Sequence, residues 1–208
     1  MIFCKNELLT IVDVGIDSRL FLDLKKFNSY FTINLLSHVM GLNYGFRTVK
    51  RSLELLLNSD NKIIKIDKLI DIKDININTP FGISFKYNFI ESEEAKDNQY
   101  CVIDDKELEF LRSAKLTSFE MLTYLALAIF RNSNSLICYP SQIVLANLLN
   151  SNQSNICRAV KGLEQKGVIN VSKAKSNNHL EYNVYEFIKA IPLAVESVIE
   201  EKEVYYLF

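Results

Sequence analysis

Pro140-Ser-Gln-Ile-Val-Leu-Ala-Asn-Leu-Leu-Asn-Ser-Asn-Gln-Ser-Asn-Ile-Cys-Arg-Ala-Val-Lys-Gly-Leu-Glu-Gln-Lys-Gly-Val-Ile169 reads as two short helices, a turn between them and the start of a strand. Ser141 is placed to cap the first helix, with Pro140 marking its start. Val144, Leu145 and Leu148 form its apolar stripe, and Ala146 is small where a second helix crosses. Asn150-Ser151 supplies the turn, and Ser151 can cap the second helix. Ile156, Val160 and Leu163 recur at helical spacing and face inward. Gly167 stops this helix and Val168–Val171 begins a strand. At about 100° per residue the outward positions are Ser151, Ser154, Arg158, Lys161 and Gln165. None of them is acidic.

Working outward, Thr117 and Glu120 make a capping box for a preceding helix carrying Met121, Leu122, Leu125 and Ile129. Leu136–Tyr139 reads as a short strand able to pair with the hairpin that follows the motif. That hairpin runs through Lys173, Lys175 and Ser176-Asn-Asn178 to a return strand at Leu180–Tyr185. From Ser141 to Leu180 the bases are Arg158, Lys161, Lys166, Lys173 and Lys175 against one acid, Glu164. Three helices and a hairpin in this order describe a winged helix.

The N-terminal half reads in the same way. Residues 1–16 contain Glu7–Val14, either a short strand or the start of a helix. Asp17 or Ser18 can cap a helix bearing Leu20, Phe21, Leu24 and Phe27. Thr32 caps another with Leu35, Leu36 and Val39, which Gly41-Leu-Asn43 breaks. A third begins near Tyr44 and carries Phe46, Val49, Leu53 and Leu56. Ile63–Ile66 and Gly82–Phe89 read as paired strands, and the loop between them holds Asp71, Lys73, Asp74 and Pro80. A shift of 107 positions lays Val39 on Ala146, Asn43 on Asn150, Val49 on Ile156, Arg51 on Arg158 and Leu56 on Leu163 without a gap. That register implies an internal duplication. The expected fold is α+β and mostly helical, with two tandem winged-helix domains, each a helix-turn-helix plus a β-hairpin wing. The expected divisions are residues 1–90, an acidic linker and short helix at 91–109, and 110–208.

Composition sets outer bounds. The formal net charge is −1 and the hydrophobic fraction 49% over 208 residues. The chain has ample material for a core, and any nucleic-acid affinity has to be local. Residues 91–109 hold eight acids against Lys96 and Lys106, which offsets basic character elsewhere in the whole-chain count. The stretch is either a solvated linker or an acidic patch facing a basic partner. Cys4, Cys101, Cys138 and Cys157 form no CxxC pair, so they read as reduced thiols of a cytoplasmic protein, with no metal and no cofactor expected. No apolar run is long enough for a membrane span, and the N-terminus lacks the layout of a signal peptide.

Catalysis requires converging reactive groups. His38 and His179 fall in different units, and none of the six glycines is spaced as a phosphate loop. The chain therefore reads as non-enzymatic. His38 reads as structural, and His179 as a solvent or phosphate contact. The positive indications point to double-stranded DNA. Ser151, Asn152, Gln153, Ser154, Asn155 and Arg158 are placed for bases or nearby phosphates, and Lys161 for phosphate. Lys173, Lys175, Asn177 and His179 are wing candidates for the adjacent groove. In the first unit the corresponding set is Tyr44, Arg47, Thr48, Lys50 and Arg51.

The pattern from Pro140 through Leu145-Ala146 and Ser154-Asn-Ile156 to Arg158-Ala-Val160 and Gly167-Val-Ile169 is similar to winged-helix domains of plasmid and phage replication initiators from low-GC bacteria. The tandem arrangement resembles two-winged-helix plasmid initiators. The match is clear from about Leu116 to Tyr185 and faint from Leu20 to Phe89. The resemblance implies binding to repeated origin sites, a homodimeric form that represses its own gene, and contact with replication-machinery protein. The same signature occurs in transcriptional repressors, and tandem winged helices occur in protein–protein adaptors, so those two functions stand beside the first. After Pro192 an acidic helix is expected from Leu193 to Glu203. The tail Val204–Phe208 either tucks into the fold or docks on a partner; its Leu207-Phe208 ending is similar to sliding-clamp peptides but lacks their glutamine.

Overall fold

Among the described residues, the stretches of periodic apolar residues become the elements of the fold. The computed structural model describes residues 1–26, 30–31, 44–60, 64–67, 85–89, 100–176 and 179–188. Among them the elements in chain order are β1 (Ile2–Cys4), α1 (Lys5–Val14), α2 (Ser18–Lys26), β2 (Tyr30–Phe31), α3 (Phe46–Leu57), β3 (Ile64–Asp67), β4 (Phe85–Phe89) and β5 (Tyr100–Val102). There follow α4 (Asp105–Ser113), α5 (Ser118–Ile129), β6 (Ile137–Cys138), α6 (Gln142–Leu148), α7 (Gln153–Gln165), β7 (Ile169–Lys175) and β8 (Glu181–Phe187). The fold is α+β and mostly helical. Its strands make three small antiparallel sheets, ordered β1-β5, β2-β4-β3 and β6-β8-β7.

Helix α5 carries the expected capping box. Thr117 Oγ1 accepts from Glu120 N–H at 3.2 Å, and Glu120 Oε2 accepts from Thr117 N–H at 2.7 Å. Past this cap, Met121 and Thr123 to Ala128 are all buried. A helix with so little polar circumference has to be covered on several sides. Helices α1 and α2 pack against it, as do α6, α7 and strand β5. The result is one continuous apolar cluster running from Phe3 to Phe187. Each fully buried Leu or Phe in it contributes about 1.5–3 kcal/mol of transfer free energy.

The N-terminal segment joins this core through polar ties as well. The Met1 ammonium donates to Ile103 O at 2.9 Å, and Ser18 Oγ donates to Ser118 O at 2.7 Å. Asp23 pairs with Arg112, and Lys26 with Asp105 at 3.1 Å. Of the two possibilities for Glu7–Val14 the helix is realised, as α1, which Gly15 ends at φ 68°, and the strand β1 ahead of it at Ile2–Cys4 was not expected. Part of the segment expected as acidic linker is built into the fold. Strand β5 pairs with β1, Cys101 and Ile103 are buried, and α4 buries Leu108 and Leu111. Glu107 Oε1 accepts from Tyr124 Oη at 2.5 Å and from Arg131 Nη1 at 2.7 Å. The Arg131 guanidinium also donates to Val102 O at 2.9 Å and lies 4.8 Å over the Phe187 ring.

The shift of 107 positions holds for the elements from β2 to β3 but not for α2, which it carries to 125–133, or for β4, which it carries to 192–196, past β8. It carries β2 onto β6, and the α3 N-cap Gly45 onto the α7 N-cap Asn152. Buried Val49, Ser52, Leu53 and Leu56 fall on buried Ile156, Ala159, Val160 and Leu163. In both three-stranded sheets the last strand lies in the middle. The expected helix after Thr32, the Gly41–Asn43 break, Phe27, His38, the Asp71–Pro80 loop and everything after Ile188 lie outside the described residues.

Two expected outcomes concern this core. Leu125→Ala should lower stability by about 2–5 kcal/mol, read by urea unfolding, with one cooperative transition shared by both halves. Glu120 is the second. Burial works against its carboxylate, but hydrogen bonds from Lys166 and Thr117 outweigh that and hold its pKa below the ordinary 4.5. A depressed folded pKa contributes stability at neutral pH that is lost as pH falls through the folded value. Glu120→Gln should therefore be less stable than the native chain near neutral pH, and thermal melts should show the gap narrowing below pH 4.5.

Candidate nucleic-acid interface

Helices α6 and α7 are joined by Leu149–Asn152, with Asn150 in the left-handed region at φ 44°. Ser141 caps α6 as expected, its Oγ accepting from Val144 N–H at 3.2 Å. The cap of α7 differs from the expectation. Asn152, not Ser151, accepts from Asn155 N–H, at 2.9 Å. Ser151 is held instead in the turn, where its N–H donates to Ala146 O at 2.9 Å and its Oγ accepts from Asn155 Nδ2 at 3.3 Å. Asn152 Oδ1 reaches the third residue of the helix from an extended backbone, the geometry an N-cap needs. Val144 also departs from the expected stripe. It is 45% exposed, beside Ile143 at 60%, while Leu145, Ala146 and Leu149 take the buried face against α7.

On α7 the core side is Ile156, Ala159, Val160 and Leu163. Asn152, Gln153, Ser154, Arg158, Lys161 and Gln165 are exposed, and Ser151 and Asn155 are half-buried. Among the described residues no ion pair engages Arg158 or Lys161. Lys166, by contrast, turns inward and is consumed at the helix end, donating to Glu120 Oε2 at 2.5 Å and Lys115 O at 3.1 Å. Gly162 makes this approach possible, since a Cβ there would stand 2.1 Å from Glu120 Oε1.

The hairpin β7–β8 pairs Lys175 with Glu181 and Lys173 with Asn183. Glu181 lies one position past the acid-poor stretch of the sequence. It stands between both lysines of β7, 3.5 Å from Lys173 Nζ and 3.9 Å from Lys175 Nζ. These pairs are well exposed and weak, yet they reduce the local positive charge. His179 turns the wing at φ 60°, exposed, its N–H donating to Ser176 O at 2.9 Å. Asn177 lies outside the described residues.

Between the β7–β8 hairpin and the start of α6 runs a groove of about 370 Å³ lined by Tyr139, Gln142, Ile143, Gln153, Lys173 and Tyr182 among others. Tyr139 and Tyr182 meet edge to face at 5.9 Å, and they are 57% and 40% exposed. Sequence reasoning did not single out these residues. A signal exists for Tyr182: strand alternation places it on the opposite face from buried Tyr185 and Phe187, an aromatic side chain turned toward solvent.

In the first unit Arg47, Thr48 and Arg51 are exposed on α3, and no ion pair engages either arginine among the described residues. Lys50 is half-buried and lies 4.0 Å from Glu54. Tyr44 is half-buried and engaged with Asp17; burial and that carboxylate push its phenol up to about 12. Its hydroxyl is thus committed to the Asp17–Arg19 cluster rather than offered to solvent.

Among the described residues no cluster of His, Cys, Asp and Glu is placed to hold a metal, and no helix is long and apolar enough to cross a membrane. No protein-family model matches the sequence, and comparison with curated proteins finds no match.

The cap assignment is open to direct measurement. Asn152→Ala should cost about 0.5–2 kcal/mol of stability. Ser151→Ala should cost less, because Asn155 N–H keeps its acceptor. A larger loss from Ser151→Ala than from Asn152→Ala in urea unfolding would return the cap to Ser151.

Proposed function

We propose that residues 118–187 form a winged helix, that residues 30–89 belong to a second of the same topology, and that the chain binds double-stranded DNA sequence-specifically. The observation that carries this reading is the outward face of α7. It presents Ser154, Arg158, Lys161 and Gln165 to solvent, with no acid at those positions and no ion pair on either base among the described residues; exposed Glu164 lies to the side, its Oε1 accepting from Val171 N–H at 3.3 Å. A helix of about 12 Å diameter fits the major groove, where Arg donates to guanine O6 and N7, and Asn or Gln matches adenine. Wing residues Lys173, Lys175 and His179 stand where the adjacent backbone would pass.

Within DNA binding, the reading adopted is a replication initiator of a mobile element that occupies repeated origin sites. Its ground is the resemblance of the 140–169 motif to such initiators, together with the register of 107 positions between the two units. Two helices in one chain would then grip successive major grooves about 10 base pairs apart. A non-DNA-binding adaptor is the second reading. It is favoured by the exposed apolar residues Tyr139, Ile143, Val144, Leu180 and Tyr182 around the wing.

The test is a titration of the full chain with duplex fragments from its own genetic neighbourhood at several salt concentrations. Arg158→Ala should cost about 1–3 kcal/mol of specific binding. Lys161→Ala and Lys175→Ala should weaken binding to all sequences alike and reduce the salt slope. Unchanged affinity in all three would remove the assigned face, and no binding at low salt would favour the adaptor. Loss of origin-dependent plasmid maintenance with Arg158→Ala would separate the initiator from a repressor, which would show derepression alone.

A further inference from the structure

Resting on the DNA-binding reading, we infer that α3 and α7 read the same base, guanine, at equivalent places through Arg51 and Arg158, and that Glu54 weakens the hold of α3. Both arginines follow a fully buried core residue, Val49 or Ile156, by two positions. That spacing sets each about 200° from its core contact, on the side of the helix farthest from the protein. Both are exposed, and among the described residues neither has an ion-pair partner.

The other outward positions do not keep their residues. Arg47 falls on Ser154, Thr48 on Asn155, Glu54 on Lys161 and Asn58 on Gln165. The one retained contact group is a guanidinium, whose planar fork fits the O6 and N7 acceptors of guanine. Each half-site then holds one equivalent guanine inside flanking bases that differ.

The exchange of Glu54 for Lys161 reverses a charge at the edge of this face. Lys161 is exposed and unpaired among the described residues. Glu54 is one-third exposed, its carboxylate 4.0 Å from Lys50 Nζ. At the same helical position, one unit offers a cation to the phosphate line and the other an anion that also offsets the nearest lysine. Glu54 therefore weakens the first unit's hold at this position, although Arg47 adds a cation where the second unit has Ser154.

The experiment is selection from a randomised duplex library with the full chain, followed by affinity measurements across a salt series. The native chain should select two guanines in equivalent half-sites about one helical turn apart. Arg158→Ala should abolish the guanine preference in the half-site of α7, and Arg51→Ala in that of α3 alone, each by roughly 5- to 150-fold. Glu54→Lys should leave the selected bases unchanged, tighten binding and steepen the salt slope by about 0.9. Glu54→Gln should tighten it less and serves if the lysine variant fails to fold. A selected site indifferent to Arg51→Ala, or Glu54 variants with native affinity and slope, overturns the inference while leaving DNA binding intact. If the native chain selects no duplex at low salt, the DNA-binding reading falls and takes this inference with it.

Discussion

The absence of a polar face on α5 is the constraint from which the rest of the architecture follows. From Met121 to Ala128 its residues are buried apart from half-covered Leu122. Water cannot wet such a helix without a large transfer cost, so neighbours must enclose it. The C-terminal half supplies α6 and α7, and the N-terminal segment supplies α1 and α2. The N-terminal helices are therefore part of the support on which the candidate DNA-reading helix rests. Helix α7 takes its orientation from Ile156, Val160 and Leu163, which sit in the same apolar cluster.

Charge follows the same division between interior ties and exposed faces. Asp17, Asp23, Glu7, Glu107 and Glu120 each have a basic partner, and several of these pairs join segments distant in the chain. The bases on α7 have none among the described residues. A net charge of −1 thus averages over compensated interior pairs and an uncompensated surface helix. With screening over about 8 Å at physiological salt, a ligand on that helix would sense the local bases and not the distant acids. Glu181 is the local exception, tempering the lysines of β7.

Much was legible where a signal is local. The capping box at Thr117–Glu120, the cap at Ser141, the helix stop at Gly167 and the pairing of β6 with the wing all depend on residues a few positions apart or on simple periodicity. The 107-position register was legible for the same reason, because core spacing on a helix survives when identities do not. Features that depend on what lies opposite a residue were less legible. Val144 has an apolar side chain, yet none of the described residues covers that edge of α6. Tyr44 looked like a surface contact until Asp17 proved to be its neighbour.

The sequence by itself therefore determined the helices α2, α3, α5, α6 and α7, the caps at Thr117 and Ser141, the strand alternation and the acid-poor face of α7, since these are properties of short-range geometry and backbone hydrogen bonding. Only the tertiary structure decided that Cys101 and Ile103 belong to the core, that Asn152 rather than Ser151 caps α7, and that Glu181 stands between Lys173 and Lys175. Those outcomes depend on contacts between segments far apart in the chain or on the path of a turn. Periodicity carries no information about which partner arrives there.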